Sequence, residues 1–168
     1  MGLNEKTVLV TGASRGIGRE IAITLAKKGA TVIGTATSQP SADKFEQDMT
    51  AQGFKAKGMV LNISCADSIK DFFAVIKSEK TVIDILVNNA GITRDNLMMR
   101  MSDSEWNDVI QTNLSSIFKM SKECIRGMMK KRWGRIISIG SVVASAGNPG
   151  QSNYCAAKAG VIGFSKSL

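Results

Sequence analysis

A short apolar run, Thr7-Val-Leu-Val10, opens directly into Thr11-Gly-Ala-Ser-Arg-Gly-Ile-Gly18, and an amphipathic stretch begins before that turn is complete. Few folds accept this order. A brief apolar run ending in glycine fits a strand buried on both faces of a parallel sheet. After it, Ile17, Ile21 and Leu25 recur at the helical period with Ala22 and Ala26 beside them. Gly29 then follows Lys27-Lys28, whose charges suit the carboxyl end of a helix dipole. The segment reads as strand, glycine turn, helix. Gly12 permits the tight turn, Gly16 lets backbone approach a pyrophosphate, and Gly18 allows close helix packing, which leaves the helix N-terminus aimed at an anion. The spacing is G-x-x-x-G-x-G rather than G-x-G-x-x-G, but its place between a buried strand and an amphipathic helix still marks a phosphate cradle.

The second strand, Thr31-Val-Ile-Gly-Thr-Ala36, bears on which dinucleotide such a cradle would take. NAD-binding sheets usually place an acid near its end, against the ribose 2′-hydroxyl. From Lys27 through Ser41 there is no Asp or Glu, while Arg15, Thr37 and Ser38 supply a cation and two hydroxyls. This predicts NADP rather than NAD; the other reading of Arg15 is an ordinary surface arginine.

Strand and helix signals continue to alternate, as in an open parallel sheet with right-handed crossovers. Strands are expected near 7–10, 31–36, 57–61, 83–88 and 135–139, and helices near 17–28, 41–52, 66–78, 103–131 and 153–166. The fold class is α/β: a Rossmann-like, doubly wound parallel sheet flanked by helices on both faces, in one domain over 1–168. Ser102-Asp103-Ser104-Glu105 supplies helix-start residues, and Trp106, Val109, Ile110, Leu114, Ile117 and Phe118 follow at apolar helical spacing. That segment is too long for one undisturbed surface helix. Asn113 in its middle is either a satisfied core amide or a functional one. Asn88-Asn-Ala-Gly91 closes the fourth strand at the carboxyl end, where ligands of such sheets bind; turn chemistry is the competing explanation.

Near the end of the chain stands Tyr154-Cys-Ala-Ala-Lys158. On a helix, positions four apart share a face, so the lysine ammonium can lie near the phenol or near a ligand beside both. A free phenol titrates near 10, too high for proton exchange at neutral pH. A unit charge roughly 4 Å away at an effective dielectric near 20 is worth about 4 kcal/mol, on the order of three pKa units. Taken alone, the pair also fits an interface aromatic and a solvated lysine.

Together, the glycine turn, Asn88-Asn-Ala-Gly91, Asn113, Ser141 and Tyr154-x-x-x-Lys158 resemble the short-chain dehydrogenase/reductase family, in order and spacing and over essentially the whole chain. Within it, Gly91-Ile-Thr-Arg-Asp-Asn-Leu97, Gly134-Arg-Ile-Ile-Ser-Ile-Gly-Ser141 and Gly150-Gln-Ser-Asn-Tyr154 look most like the bacterial 3-oxoacyl-[acyl-carrier-protein] reductase subgroup. The resemblance implies hydride transfer from NADPH to the 3-keto group of an acyl thioester in fatty-acid elongation. Tyr154 would be the proton donor and Ser141 the hydrogen-bond partner of the substrate carbonyl, the two touching substrate. Lys158 would hold the nicotinamide ribose and lower the tyrosine pKa, and Asn113 would fix a water in the proton relay. Gly12, Ala13, Ser14, Arg15, Gly16, Ile17, Gly18, Thr37, Asn62, Ile63, Asn89, Ala90 and Gly91, with Tyr154 and Lys158, would line the cofactor. Asn62 stands where many members carry Asp. Alternatives are reduction of another carbonyl substrate, such as a 3-ketoacyl-CoA, and a catalytically silent dinucleotide-binding fragment.

Charge bears on partners. The chain has 22 Lys plus Arg against 14 Asp plus Glu, a formal +8 with no histidine. Lys130-Lys-Arg132 and Arg135 concentrate the excess, and an acidic carrier protein would be steered to Lys131 and Arg132. The competing reading is a solvated helix end favoured by the dipole. No motif or aromatic-basic interleaving supports nucleic acid, and no apolar run is long enough for a membrane span. Three cysteines, Cys65, Cys124 and Cys155, show no metal-ligand spacing, so reduced thiols in the cytoplasm and no metal are expected. Cys155 is either oxidisable near the site or a buried inert thiol. Gly160-Val-Ile-Gly-Phe-Ser-Lys-Ser-Leu168 reads as the middle of an amphipathic helix. The family's last strands and substrate lid are therefore expected to be absent from these residues, the fifth strand to be an open edge, and a homotetramer to be the state of an intact chain.

Overall fold

The computed structural model describes residues 2–168. Five strands form one parallel sheet: β1 (Thr7–Val10), β2 (Thr31–Ala36), β3 (Ala56–Val60), β4 (Ile85–Asn88) and β5 (Arg135–Ser138), in the spatial order β3-β2-β1-β4-β5. The register sets Val10 against Gly34 and Val87, so β1 ends between its two neighbours. Chain order runs outward from β1 in one direction and then, through β4, in the other. The carboxyl ends of β1 and β4 are thus a topological switch point, where open α/β sheets leave a crevice.

Alternation along β1 decides which face each side chain supports. Leu9 joins one apolar layer with Ile33, Phe72, Phe73, Leu86 and Met120, while Val8 and Val10 join the other with Val32, Phe45, Met49 and Val87. The first layer is covered by α3 (Ala66–Ser78) and α5 (Ser116–Lys131), the second by α1 (Gly16–Lys27) and α2 (Gln39–Thr50). This is the doubly wound arrangement that the alternating pattern predicts.

The expected helix at 103–131 is interrupted. Its first part, α4 (Asp103–Ile110), begins with a capping box: the Ser102 hydroxyl accepts the Glu105 N–H, and the Glu105 carboxylate accepts the Ser102 N–H. A π-helical turn at Gln111–Ser115 then separates α4 from α5. One tertiary contact and one local side-chain bond accompany the bulge. The Asn113 carboxamide bonds both main-chain groups of Ile92, and Ser116 Oγ donates to the Thr112 carbonyl at 2.6 Å. Such bulges trade ladder bonds for a redirected side chain.

Strand ends differ from expectation by small shifts: β3 is 56–60 and β4 starts at 85. Ile83 and Asp84 are buried but lie before the ladder. The α2 helix starts at Gln39, with Pro40 in its first turn, where a missing N–H costs nothing. After β5 comes a helical turn, α6 (Val143–Ala146), which the sequence pattern did not mark, and then α7 (Ser152–Ser167). Among the described residues β5 pairs with β4 alone and is one edge of the sheet. No described helix is long and apolar enough to cross a membrane.

Candidate active site

The glycine turn is braced from both sides. Thr11, buried at the end of β1, accepts the Asn89 and Ala90 N–H groups on its hydroxyl, each at 3.0 Å. Asn89 returns the contact: its Nδ2 donates to the Thr11 carbonyl at 2.9 Å and to the Gly12 carbonyl at 3.2 Å. From β2, Thr35 accepts the Gly12 N–H on its hydroxyl and the Ala13 N–H on its carbonyl. Asn89 therefore ties the end of β4 to β1, while Asn88 Nδ2 reaches Ser138 Oγ on β5 at 3.4 Å.

Gly12 and Gly16 hold left-handed φ values of 66° and 57°, which side-chain-bearing residues rarely adopt. Gly18 is required for space: a Cβ there would lie 2.3 Å from the Gly12 carbonyl oxygen and 2.4 Å from Asn89 Nδ2. The helix that follows starts on Arg15, which makes no side-chain cap bond, and its first turn has no acid. A cation at that end and uncapped amides leave the positive end of the helix dipole open to an anion.

In front of it lies a cleft of about 790 Å³, within the size range of small-molecule and cofactor sites. Gly12, Ser14, Arg15, Gly16, Ile17, Gly18, Thr37, Asn62, Ile63, Asn89, Ala90 and Gly91 all line it. Ala13 does not: it is fully buried, and its N–H is bonded to β2, so it supports the turn from below. Ser38 is also absent from the lining, because it occupies the N-cap of α2 and its hydroxyl donates to Ser41. Asn62 bends the chain through its Oδ1, which accepts from Ser64 N and Oγ. A carboxylate would do the same, so Asn in place of Asp keeps this turn and leaves an NH₂ to face the cleft.

The lining also includes residues that the sequence did not single out. Ser64 from the loop after β3, Ile92 and Arg94 from the segment after β4, Asp108 from α4, and Gln111 and Thr112 from the π-turn also line the cleft. Arg94 and Asp108 face each other there at 3.7 Å. No periodicity marks such residues; only the packing of the helix across the strand ends does.

Beside this lining stand the remaining candidates. Asn113 is 1% exposed and its carboxamide is used on both sides: Oδ1 accepts Ile92 N–H at 2.8 Å and Nδ2 donates to Ile92 O at 2.7 Å. A water held at Asn113 would therefore be held by its main chain, not its side chain. Lys158 is 5% exposed, and burial pushes its pKa below the ordinary lysine value. Its ammonium donates to the Ile139 carbonyl at 2.6 Å and lies 5.6 Å from the centre of the Tyr154 ring. Ser141 follows two residues after Ile139, and its hydroxyl accepts the Val143 N–H at 3.4 Å. The structure thus gathers Tyr154 and Lys158 on α7 and brings Lys158 to the strand end that leads into Ser141. Neither Tyr154, Lys158, Ser141 nor Asn113 lines the cleft itself.

The match of a family model decides the family: the one described as short chain dehydrogenase covers residues 6–168. The chain belongs to the short chain dehydrogenase family. Membership implies a nicotinamide dinucleotide as cofactor, and the cradle, the open helix terminus and the cleft fit one. Over 163 residues the chain is 61% identical to the 3-oxoacyl-[acyl-carrier-protein] reductase FabG of Haemophilus influenzae, covering 97% of this chain and 66% of that protein. Identity to the FabG of Escherichia coli K12 is also 61%, over all of this chain and 68% of the relative. The FabG of Pseudomonas aeruginosa is 53% identical over the same shares. Among solved structures, a putative gluconate dehydrogenase from Agrobacterium tumefaciens superposes with a TM-score of 0.96 at 31% identity, over 99% of this chain and 66% of that one. The chain thus spans about two thirds of the length of these relatives.

The structure also places the basic residues and the cysteines. Lys131 is paired with Asp84: its ammonium lies 2.8 Å from a carboxylate that is 1% exposed and also accepts the Thr7 N–H. Removing that cation would strand a buried charge, so Lys131 has a structural role, while its side chain stays 44% exposed. Arg132 is exposed, in the left-handed conformation that ends α5, and lies just before the amino end of β5. That is the sheet edge opposite the cleft. Of the cysteines, Cys65 is exposed, Cys124 buried and Cys155 intermediate, so Cys155 is not the fully buried thiol of the inert reading.

Proposed function

We propose that the protein reduces 3-oxoacyl thioesters carried on acyl-carrier protein to 3-hydroxyacyl thioesters, with NADPH as reductant. The observation that carries this reading is a buried lysine set 5.6 Å from a tyrosine ring at the carboxyl edge of β5, beside a cleft built on an uncapped helix N-terminus. The relatives' printed names supply the substrate class. The phosphate-bearing cofactor is preferred because Arg15 and Thr37 line the cleft and no carboxylate follows β2 before Ser41.

When bound, the cofactor supplies a hydride to the 3-keto carbon. Gly12 to Gly18 would hold its phosphates, with Asn62, Ile63 and Asn89 to Gly91 along the rest of the cleft. Ser141 would donate a hydrogen bond to the keto oxygen and orient it. Tyr154 would give its hydroxyl proton to that oxygen as negative charge develops there, a step of general acid catalysis. Lys158, already desolvated and 5.6 Å from the Tyr154 ring, would hold the ribose hydroxyls and favour the ionised phenol by its charge. The Asn113 main chain would hold the water through which Tyr154 regains its proton.

A single domain over 1–168, a cytoplasmic location and a homotetramer complete this reading. Carrier docking would rest on Lys131, whose ammonium is partly exposed beside Asp84, and on Arg132. Because that side chain sits at the sheet edge opposite the cleft, it would serve the site of another copy rather than its own.

The test is NADPH oxidation with a 3-oxoacyl thioester by the parent and by Tyr154→Phe. Loss of the general acid should lower turnover by about 10²–10⁴-fold while NADPH binding persists. Turnover that survives the substitution, or a preference for NADH, would refute the reading. Acceptance of coenzyme A esters with no gain from the carrier protein would refute the carrier assignment.

A further inference from the structure

The carboxamide of Asn153 takes no part in the chemistry above, yet it is 0% exposed and every polar atom is used. Nδ2 donates to the Arg94 carbonyl at 2.9 Å and to the Glu105 carbonyl at 3.3 Å, and Oδ1 accepts the Tyr154 N–H at 2.7 Å. These bonds join three segments distant in sequence. The α7 helix needs them, because its N-cap residue, Gln151, makes no side-chain cap bond. Its first-turn amides are otherwise without an intrahelical acceptor, and Asn153 satisfies the one that belongs to Tyr154.

The partner segment matters as much. Ile92 and Arg94 both line the cleft. Asn113 grips the main chain of Ile92 from the π-turn, and Asn153 grips that of Arg94 from α7. Two buried amides therefore clamp one short stretch of cleft wall, and the second of them also holds the tyrosine backbone. Neighbouring contacts reinforce the clamp at the same place: Asn96 N–H donates to Gly150 O at 2.9 Å, and Gln151 Nε2 to Asp95 Oδ2 at 2.9 Å.

We propose that Asn153 is a positioning residue, which fixes the main chain of Tyr154 to the cleft wall at Arg94 and so sets the distance between the proton donor and whatever occupies the cleft. This rests on the assignment of Tyr154 as proton donor. Placement errors near 1 Å cost about 10²-fold in rate, so the expected signature is a fall in kcat with binding preserved.

The experiment compares the product of the complete reading frame with its Asn153→Ala and Asn153→Asp variants. The aspartate keeps the shape and an acceptor for the Tyr154 N–H but sets an acceptor oxygen against two carbonyls, so it breaks the clamp alone; it also serves if the alanine variant fails to fold. In both variants kcat for a 3-oxoacyl thioester is expected to fall about 10–100-fold, with the NADPH dissociation constant and the thioester KM within about three-fold of the parent. Amide hydrogen exchange of the free protein should quicken across 151–156 and stay unchanged across 7–18. Parent-like kcat in Asn153→Asp, an equal loss of NADPH affinity and turnover, or matching acceleration in both segments would overturn the proposal. The exchange readout needs no substrate. A parent that lacks activity on 3-oxoacyl thioesters yet shows the exchange pattern would refute the substrate reading and leave the clamp in place.

Discussion

Around the glycine turn the strands are buried along nearly their whole length, Val8 to Val10 and Val32 to Ala36 among them. By contrast, β5 exposes alternate residues and α6 buries none. The first region is held by two apolar layers and by main-chain bonds between adjacent strands. The second is held by buried polar groups reaching across the chain: Asn113 to Ile92, Asn153 to Arg94, Lys158 to Ile139. Apolar burial is non-directional and tolerates small shifts, whereas a buried amide or ammonium is satisfied in one geometry only. The cradle should thus be a rigid platform, and the tyrosine region should respond to single polar changes that leave the platform intact.

The largest effect that would break this contrast is expected at Gly18. In Gly18→Val the new side chain meets backbone at the Gly12 carbonyl, which cannot swing aside. Overpacking of this kind costs up to about 3 kcal/mol, and NADPH affinity measured by fluorescence titration should fall about 100-fold while the far-ultraviolet spectrum stays native. Unchanged affinity would mean that the turn is not the platform described. Next comes Lys131→Met, which leaves Asp84 buried without its cation. Urea unfolding should show a loss of about 2 kcal/mol, below the usual range for a broken buried pair because Lys131 is partly exposed, with NADPH affinity unchanged. A silent substitution would mean that the pair with Asp84 adds nothing to stability.

Smaller still is Ser102→Ala, which removes the N-cap of α4 and should cost about 1 kcal/mol in the same measurement. The last effect is confined to alkaline pH. Burial pushes the Cys124 thiol up to about 12, so the folded protein keeps a proton that the unfolded chain releases from about pH 9 upward. Its contribution is complete below that pH and declines as pH rises toward 12. The difference in unfolding free energy between the parent and Cys124→Ala should therefore stay flat from pH 7 to 8.5 and narrow above pH 9. A constant difference would place Cys124 in contact with water.

Much of this was legible in the residues. The strand at 7–10, the glycine turn, the helix after it and the lining at 12 and 14–18 follow from local pattern, because each depends on neighbours within a few positions. The segment 103–131 carried a warning in its length and in Asn113, but the position of the π-turn depended on Ile92, 21 residues upstream. Asn153 stood inside a string that carries the family resemblance, but nothing local marked its role: beside Tyr154 it reads as an ordinary polar helix-start residue. The ion pair of Lys131 carried no signal either, because a run of basic residues looks solvated until a buried Asp84 is placed beneath one of them.

The amino-acid sequence by itself determined the parallel α/β sheet, the family and the glycine turn between strand and helix, since periodicity, glycine spacing and short turns are written within single elements. Only the tertiary structure decided which amides are spent on holding the wall, where Lys158 points, and which of the basic residues is free. Those outcomes depend on hydrogen bonds between segments tens of residues apart, and a buried polar group takes its role from the partner that the fold brings to it.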